Sequence, residues 1–352
     1  MSERRSIVEL WRRGDAAALA TLVRVEGSSY RRVGARMLIA ANGERTGSIS
    51  GGCLEAEVVR KAAWLTRDGA VVERYSTLFD DTAELPYGLG CGGTVDLLIE
   101  PAGTAEFEAV MMALAASLRG ERRRVATQLP DAGRPLRRCV LDESGDHVFH
   151  SELGRVNAAQ PHFDECLEPP QRLFVFGAGD DARPLVSMAA LLGWSVTVAD
   201  GRAHLARPER FPQAEQVLAA STLQGLNINA RDAVVVMTHS YEQDRAWLTA
   251  LLPEGVHYLG LLGARHRSAL LVREAAALLG WSVAQACEGL FAPVGLDLGG
   301  DGAEAIALAV IAEMKACCEG KLGVSRRMTP AMVEEQIERG GASSYLQAQC
   351  AL

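Results

Sequence analysis

The chain is predicted to be an α/β protein, with a parallel sheet covered by helices on both faces in its C-terminal half and a mixed α+β domain in its N-terminal half. Three observations predict this. Strand and helix patterns alternate beyond residue 171, as a parallel sheet with helical crossovers requires. An apolar strand there runs straight into Gly177-Ala178-Gly179-Asp180-Asp181-Ala182 and a helix. The length, 352 residues, suits two cores at roughly 100 to 200 residues per domain. We read the domains as 1–150 and 172–352, with a polar linker at 151–171 that ends in Glu168-Pro169-Pro170.

In order, Ser6 to Arg13 has apolar residues at helical spacing, and Ala16 to Val25 reads as a strand. Arg36 to Ala41 is a strand entering a tight hairpin turn at Asn42-Gly43, with Thr46 to Ser50 returning. Leu54 to Thr66 is helical, Val71 to Tyr75 and Thr94 to Glu100 are strands, and Ala105 to Leu118 is a helix. In the second half, strands at Arg172 to Phe176, Ser195 to Ala199, Ala233 to Met237 and Tyr258 to Leu262 alternate with helices. Those helices are Ala182 to Leu192, Glu242 to Leu252, Arg267 to Leu279 and Ala303 to Cys318.

Composition narrows the function classes. With 48% hydrophobic and 23% charged residues the chain is globular, and a net charge of -8 argues against a nucleic-acid partner. No signal-like or membrane-spanning run is present, which predicts a cytoplasmic protein without a membrane role. The 8 cysteines are scattered, with no Cys-x-x-Cys, so neither a disulfide framework nor a structural zinc site is expected.

The Gly-x-Gly-x-x-Ala run makes the second half a Rossmann-type domain. Gly177 serves the tight turn, Gly179 the approach of a pyrophosphate, and Asp200 closes the next strand where an acid can meet ribose hydroxyls. Asp180 and Asp181 stand at the first helical turn and would repel a pyrophosphate. Two readings stay open: helix caps in a fold that has lost dinucleotide binding, or a site for another ligand or a metal-bridged phosphate. Ligands of such sheets lie beyond the carboxyl ends of the strands, which singles out Thr238, His239 and Asp244, then Arg265, His266 and Arg267, then Asp297 and Asp301. The plainer alternatives are a capping box of Ser240 with Gln243 and a solvated basic face at 265–267.

In the first half, Gly51-Gly52-Cys53-Leu54-Glu55 lies between a strand and a helix, where a helix N-terminus lowers a thiol pKa. Cys91-Gly92-Gly93 repeats the setting in mirror image. Glycines admit close approach of a ligand to the backbone, and a thiolate is a soft metal ligand; two structural cysteines beside glycine turns are the alternative.

These residues resemble a family. Gly27-Ser28-Ser29-Tyr30-Arg31-Arg32, Gly34-Ala35-Arg36-Met37, Gly47 through Glu55, and Cys91-Gly92-Gly93 are similar to the N-terminal part of the xanthine dehydrogenase accessory (XdhC/CoxI) family. Gly177-Ala178-Gly179, Asp200-Gly201-Arg202, Thr238-His239 with Asp244, Gly260 to Gly263, and Gly295 to Gly299 are similar to its Rossmann part. The resemblance implies a chaperone that binds the molybdenum cofactor (molybdopterin), assists its sulfuration with a cysteine desulfurase and delivers it to a molybdenum hydroxylase. It makes Cys53 and Cys91 the cofactor and metal contacts, within Gly51, Gly52, Glu55, Gly92 and Gly93. Gly177, Gly179, Asp200 and Arg202 form a second, nucleotide-type site, beside which His239, Asp244 and Arg265 stand. The chain departs from the family pattern at Asp180, where a histidine or neutral residue is common, and at Gly302 to Ala305, where Thr-Pro-x-Glu is common.

Two other readings remain: an NAD(P)-dependent oxidoreductase with His239 as general acid, and a redox-sensing or scaffold protein with reactive Cys53 or Cys91. A homodimer is the default assembly.

Overall fold

The structure is a computed structural model that describes residues 3–52, 54–76, 93–131, 133–152, 156 and 161–323. The described residues fall into two compact units, divided between Pro169 and Pro170.

The first unit runs α1 (Glu3–Arg12), β1 (Ala16–Gly27), β2 (Arg36–Ala40), β3 (Arg45–Gly47), α2 (Glu55–Leu65), β4 (Val71–Ser76), β5 (Gly93–Pro101) and α3 (Ala105–Leu118). It continues as β6 (Arg123–Gln128), β7 (Arg137–Leu141), β8 (His147–His150) and β9 (His162–Leu167). Its strands form two antiparallel sheets, ordered β3-β2-β1-β5-β4 and β8-β7-β6-β9. The first sheet buries both faces. Ala18, Ala20 and Leu22 of β1 pack with Val58 and Ala62 of α2, while Leu19 packs with α1 and Phe107 and Val110 of α3. Val125, Val140 and Leu167 of the second sheet join that latter core.

The hairpin between β2 and β3 is not a two-residue turn. The Ala40 N–H donates to the Glu44 carbonyl, and of Asn42 and Gly43 only Gly43 is left-handed (φ 82°), so residues 41–43 form a three-residue loop. The segment 151–171 is not all linker, because β9 lies within it; Phe163 and Leu167 are buried from a strand whose other residues are polar and read as loop.

The second unit runs β10 (Arg172–Phe176), α4 (Ala182–Leu191), β11 (Ser195–Asp200), β12 (Gln216–Ala219), β13 (Ala233–Val236), α5 (Tyr241–Leu251) and β14 (Tyr258–Leu261). It closes with α6 (Arg265–Leu279), α7 (Val283–Cys287), β15 (Leu290–Phe291) and α8 (Ala303–Cys318). The sheet is parallel, ordered β12-β11-β10-β13-β14-β15, which is the Rossmann order with its switch point between β10 and β13. Both faces of the central strands are apolar, as they must be under helices on each side. Val175 and Val235 face α4 and α8, whereas Phe176, Val234 and Val236 face α5 and α6. Among the described residues no helix is long and apolar enough to cross a membrane.

Candidate functional site

The switch point brings the loop after β10 against the loop after β13. Gly177 has φ 131°, and a Cβ there would stand 2.3 Å from the Met237 carbonyl oxygen, so packing of the chain on itself already demands this glycine. The Asp200 carboxylate, fully buried at the end of β11, is saturated. Its Oδ2 accepts from the Ala178 N–H (2.8 Å) and Arg202 Nη2 (2.8 Å), and its Oδ1 from the Arg202 N–H (2.8 Å) and Nε (2.9 Å). Burial raises its pKa, but the bonds from Arg202 and from the two amides outweigh this and hold it below the usual carboxylate value. Arg202 spans onward to the Thr238 carbonyl (2.9 Å), locking β11 to the β13 loop.

Asp180 and Asp181 do not cap α4; Asp181 stands at the N-cap position without a capping bond. Its Oδ2 meets His239 Nε2 at 2.7 Å, and Asp180 pairs with Arg210 at 2.8 Å. A Cβ on Gly179 would meet Asp181 Oδ1 at 2.5 Å and His239 Cδ2 at 3.8 Å, so these two side chains stand beside the second glycine. His239 is exposed and left-handed, with φ 61°. Asp244 is buried and accepts from the Thr238 N–H (3.0 Å), Thr238 Oγ1 (2.6 Å) and Arg267 Nη2 (2.6 Å), which ties α5 and α6 to the loop. Of the three basic residues singled out at 265–267, Arg267 thus folds inward, while Arg265 and His266 are exposed. Ser240 caps α5, its side chain accepting from the Gln243 N–H. The polar side chains a dinucleotide would use at this corner are engaged with one another and with the loop backbone.

The other corner lies in the first unit, between β3 and α2. Glu55, 2% exposed, reaches back from the first residue of α2 and accepts from Ser48 Oγ (2.8 Å), the Ile49 N–H (3.2 Å), the Ser50 N–H (2.9 Å) and Ser50 Oγ. Ser50 Oγ in turn accepts from the N–H groups of Gly52 (3.2 Å) and Leu54 (3.2 Å), so the loop is fixed on both sides of Gly51. Glu55 is therefore an anchor whose oxygens face the loop backbone. Gly51 and Gly52 are exposed, Gly52 with φ 114° and open space, with no atom within 4 Å, where a Cβ would stand. A Cβ on Gly51 would sit 3.5 Å from the Tyr30 ring, and one on Gly93 would sit 2.1 Å from the Ser28 carbonyl oxygen. Cys53, Cys91 and Gly92 lie outside the described residues. The described glycines nearest them in sequence border the same short stretch after β1, Gly51 against the Tyr30 ring and Gly93 against the Ser28 backbone. Among the described residues no group of three His, Cys, Asp or Glu side chains could hold a metal.

Burial raises the Glu55 carboxyl, yet the bonds from Ser50 and Ser48 bring it from 4.5 down to about 2. A depressed carboxyl stabilises the folded unit above the unfolded value and loses that contribution as pH falls through the folded one. The shift corresponds to about 3 kcal/mol at neutral pH. Glu55→Gln is therefore expected to be less stable than wild type at pH 7, with the gap closing from about pH 4.5 toward about pH 2. Denaturant unfolding across that range checks it, and a pH-independent gap would remove the carboxylate from the explanation.

The second unit is a Rossmann domain whose fingerprint is retained and whose ribose acid is turned inward, in a two-unit protein that keeps a pinned glycine loop ahead of a cysteine. Residues 173–314 match the XdhC Rossmann domain, and residues 10–76 match the XdhC and CoxI family. The chain belongs to the XdhC and CoxI family. It is similar to a probable xanthine dehydrogenase subunit of Bacillus subtilis (strain 168), 31% identical over 330 residues, 85% of this chain and 92% of that one. It is also similar to the molybdenum cofactor insertion chaperone PaoD of Escherichia coli (strain K12), 28% identical over 316 residues, 88% and 86% of the two chains. A crystal structure described as a xanthine dehydrogenase from Bacillus halodurans superposes with a TM-score of 0.78 at 25% identity, over 95% of this chain and 99% of that one.

Proposed function

We infer that this protein binds the molybdenum cofactor in its first unit, holds it while a cysteine desulfurase supplies sulfur, and delivers it to a molybdenum hydroxylase of the xanthine dehydrogenase type. The observation that carries this reading is that Gly51 and Gly93, two residues from Cys53 and Cys91 in sequence, both border the stretch Ser28 to Tyr30. A thiolate is a soft ligand suited to molybdenum, and exposed glycines beside it leave room for a bulky cargo. Glu55 fixes the approach to Cys53 rather than binding cargo, since its oxygens are occupied by Ser48, Ser50 and backbone amides. The relative named as a molybdenum cofactor insertion chaperone supports the same cargo. On this reading the protein binds and transfers rather than turning over substrate, works in the cytoplasm beside its client, and is a homodimer by the commonest closed symmetry.

Anaerobic titration with free molybdenum cofactor tests the reading. Wild type is expected to retain it stoichiometrically, and Cys53→Ala and Cys91→Ala each to weaken retention by about tenfold or more, roughly 1.4 kcal/mol. Failure of wild type to retain cofactor would overturn it, and saturable NAD(H) binding in parallel would favour a nicotinamide-dependent oxidoreductase instead.

A further inference from the structure

A cavity of about 450 Å³ opens in the first unit beside α1, lined by Glu3, Arg4, Tyr30, Arg31, Arg32 and Arg36 among others. Four arginines line it, against three nearby carboxylates: Glu3, a lining residue paired with Arg31; Glu165, paired with Arg36; and Glu168, which is paired with Arg122 and whose charge also reaches Arg4. Arg32 is exposed and has no ion-pair partner among the described residues. Arg4 is held by neutral oxygens, Ser117 Oγ at 3.0 Å and the Glu168 carbonyl at 2.6 Å. Arg36 is only 7% exposed, and its Nε has no hydrogen-bond partner among the described residues. A buried donor left unmet and like charges drawn together are both costs that an anion would offset. Burial, and after it the charge of Arg36, lower the Arg4 pKa against the opposing charges of Glu165 and Glu168.

We propose that this arginine cavity is a phosphate site that takes the phosphate or pyrophosphate end of a ligand whose planar heterocycle rests on Tyr30. Guanidinium forks match phosphate oxygens in pairs, which ammonium groups do not. Tyr30 stands at one side of the cavity. Its ring lines the cavity, is 76% exposed, and borders Gly51, so one residue joins the basic pocket to the loop that leads to Cys53. An exposed aromatic face in that position offers stacking to a flat heterocycle. Assignment of this ligand to the molybdenum cofactor rests on the proposed function; the phosphate site does not.

The test is calorimetric titration of the full-length protein with inorganic pyrophosphate at low salt, in wild type, Arg32→Ala, Arg31→Ala/Arg32→Ala, and Arg67→Ala as a basic residue outside the cavity. Saturable binding is expected in wild type and Arg67→Ala, about tenfold weaker in Arg32→Ala and weaker still in the double variant, and falling with added salt. Cofactor retention is then measured in the same proteins, with pyrophosphate as competitor. Wild type that does not bind pyrophosphate, or variants that bind it as wild type does, would overturn the phosphate site, even where cofactor retention survives. Pyrophosphate binding that depends on Arg32 in a protein retaining no cofactor would uphold the site and overturn its assignment to that cargo. Tyr30→Ala is expected to leave pyrophosphate binding within twofold of wild type while weakening the whole cofactor; equal loss of both would remove the stacking half of the proposal.

Discussion

Arg138→Met is expected to destabilise the first unit by about 3–5 kcal/mol, the cost of orphaning a buried charge. Arg138 is 3% exposed and Glu100 fully buried, and they form a two-pronged pair, Nη1 to Oε2 at 2.8 Å and Nη2 to Oε1 at 3.1 Å. The same guanidinium donates through Nε to Thr127 Oγ1 (3.2 Å) and through Nη1 to the Glu106 carbonyl, so one side chain joins β5, β6, β7 and α3. Removing it leaves a carboxylate without water or counter-charge. Removing both, as in Glu100→Leu/Arg138→Met, replaces the pair with apolar volume, and such exchanges are often neutral. Hydrogen exchange read on peptides from each unit separately checks this. The single variant should lose protection in the first unit alone, and the double variant should regain most of it. A double variant as unstable as the single would show that packing, not the unpaired charge, sets the cost.

Nothing in the sequence around Arg138 announces that role. In a short strand reading Arg-Arg-Cys-Val-Leu, an arginine looks like the solvent side of an alternation, and its partner lies 38 residues away. The same difficulty hid the whole second sheet: β6, β8 and β9 carry arginines, histidines and acids, and only their sparse buried residues, such as Val125 and Phe163, mark a core. Elements with continuous apolar signal were legible. β10 and β13 are runs of buried residues, and α3, α4, α6 and α8 have long helical periodicity. Short pieces such as β12, α7 and β15 fall below the length at which periodicity speaks. At the candidate sites the residue types were legible and their partners were not. Asp181 and Asp200 both look available to a ligand until His239 and Arg202 are found on them.

That distinction makes Asp200 the more informative target in the second unit. An acid reserved for a ribose is held ready at some cost in stability, so its replacement tends to be neutral or stabilising without ligand. An acid that organises the fold does the opposite. Asp200→Ala would strip acceptors from two backbone amides, those of Ala178 and Arg202, and from both prongs of the Arg202 guanidinium. Each orphaned buried donor costs about 1–3 kcal/mol, and Arg202, 34% exposed, can recover part of its share from water. The expected loss is about 3 kcal/mol, concentrated where β10, β11 and the β13 loop meet. Asp200→Asn should lose nearly as much, because its amide group would set a donor against donors from Ala178 and Arg202. Thermal unfolding, with hydrogen exchange of the 172–200 segment, distinguishes the two roles. A neutral Asp200→Ala would mean that the carboxylate is kept for a ligand, and nucleotide binding would return as the purpose of this corner; a loss of the expected size would mean that the fingerprint persists because Gly177 and Asp200 hold the sheet's switch point together.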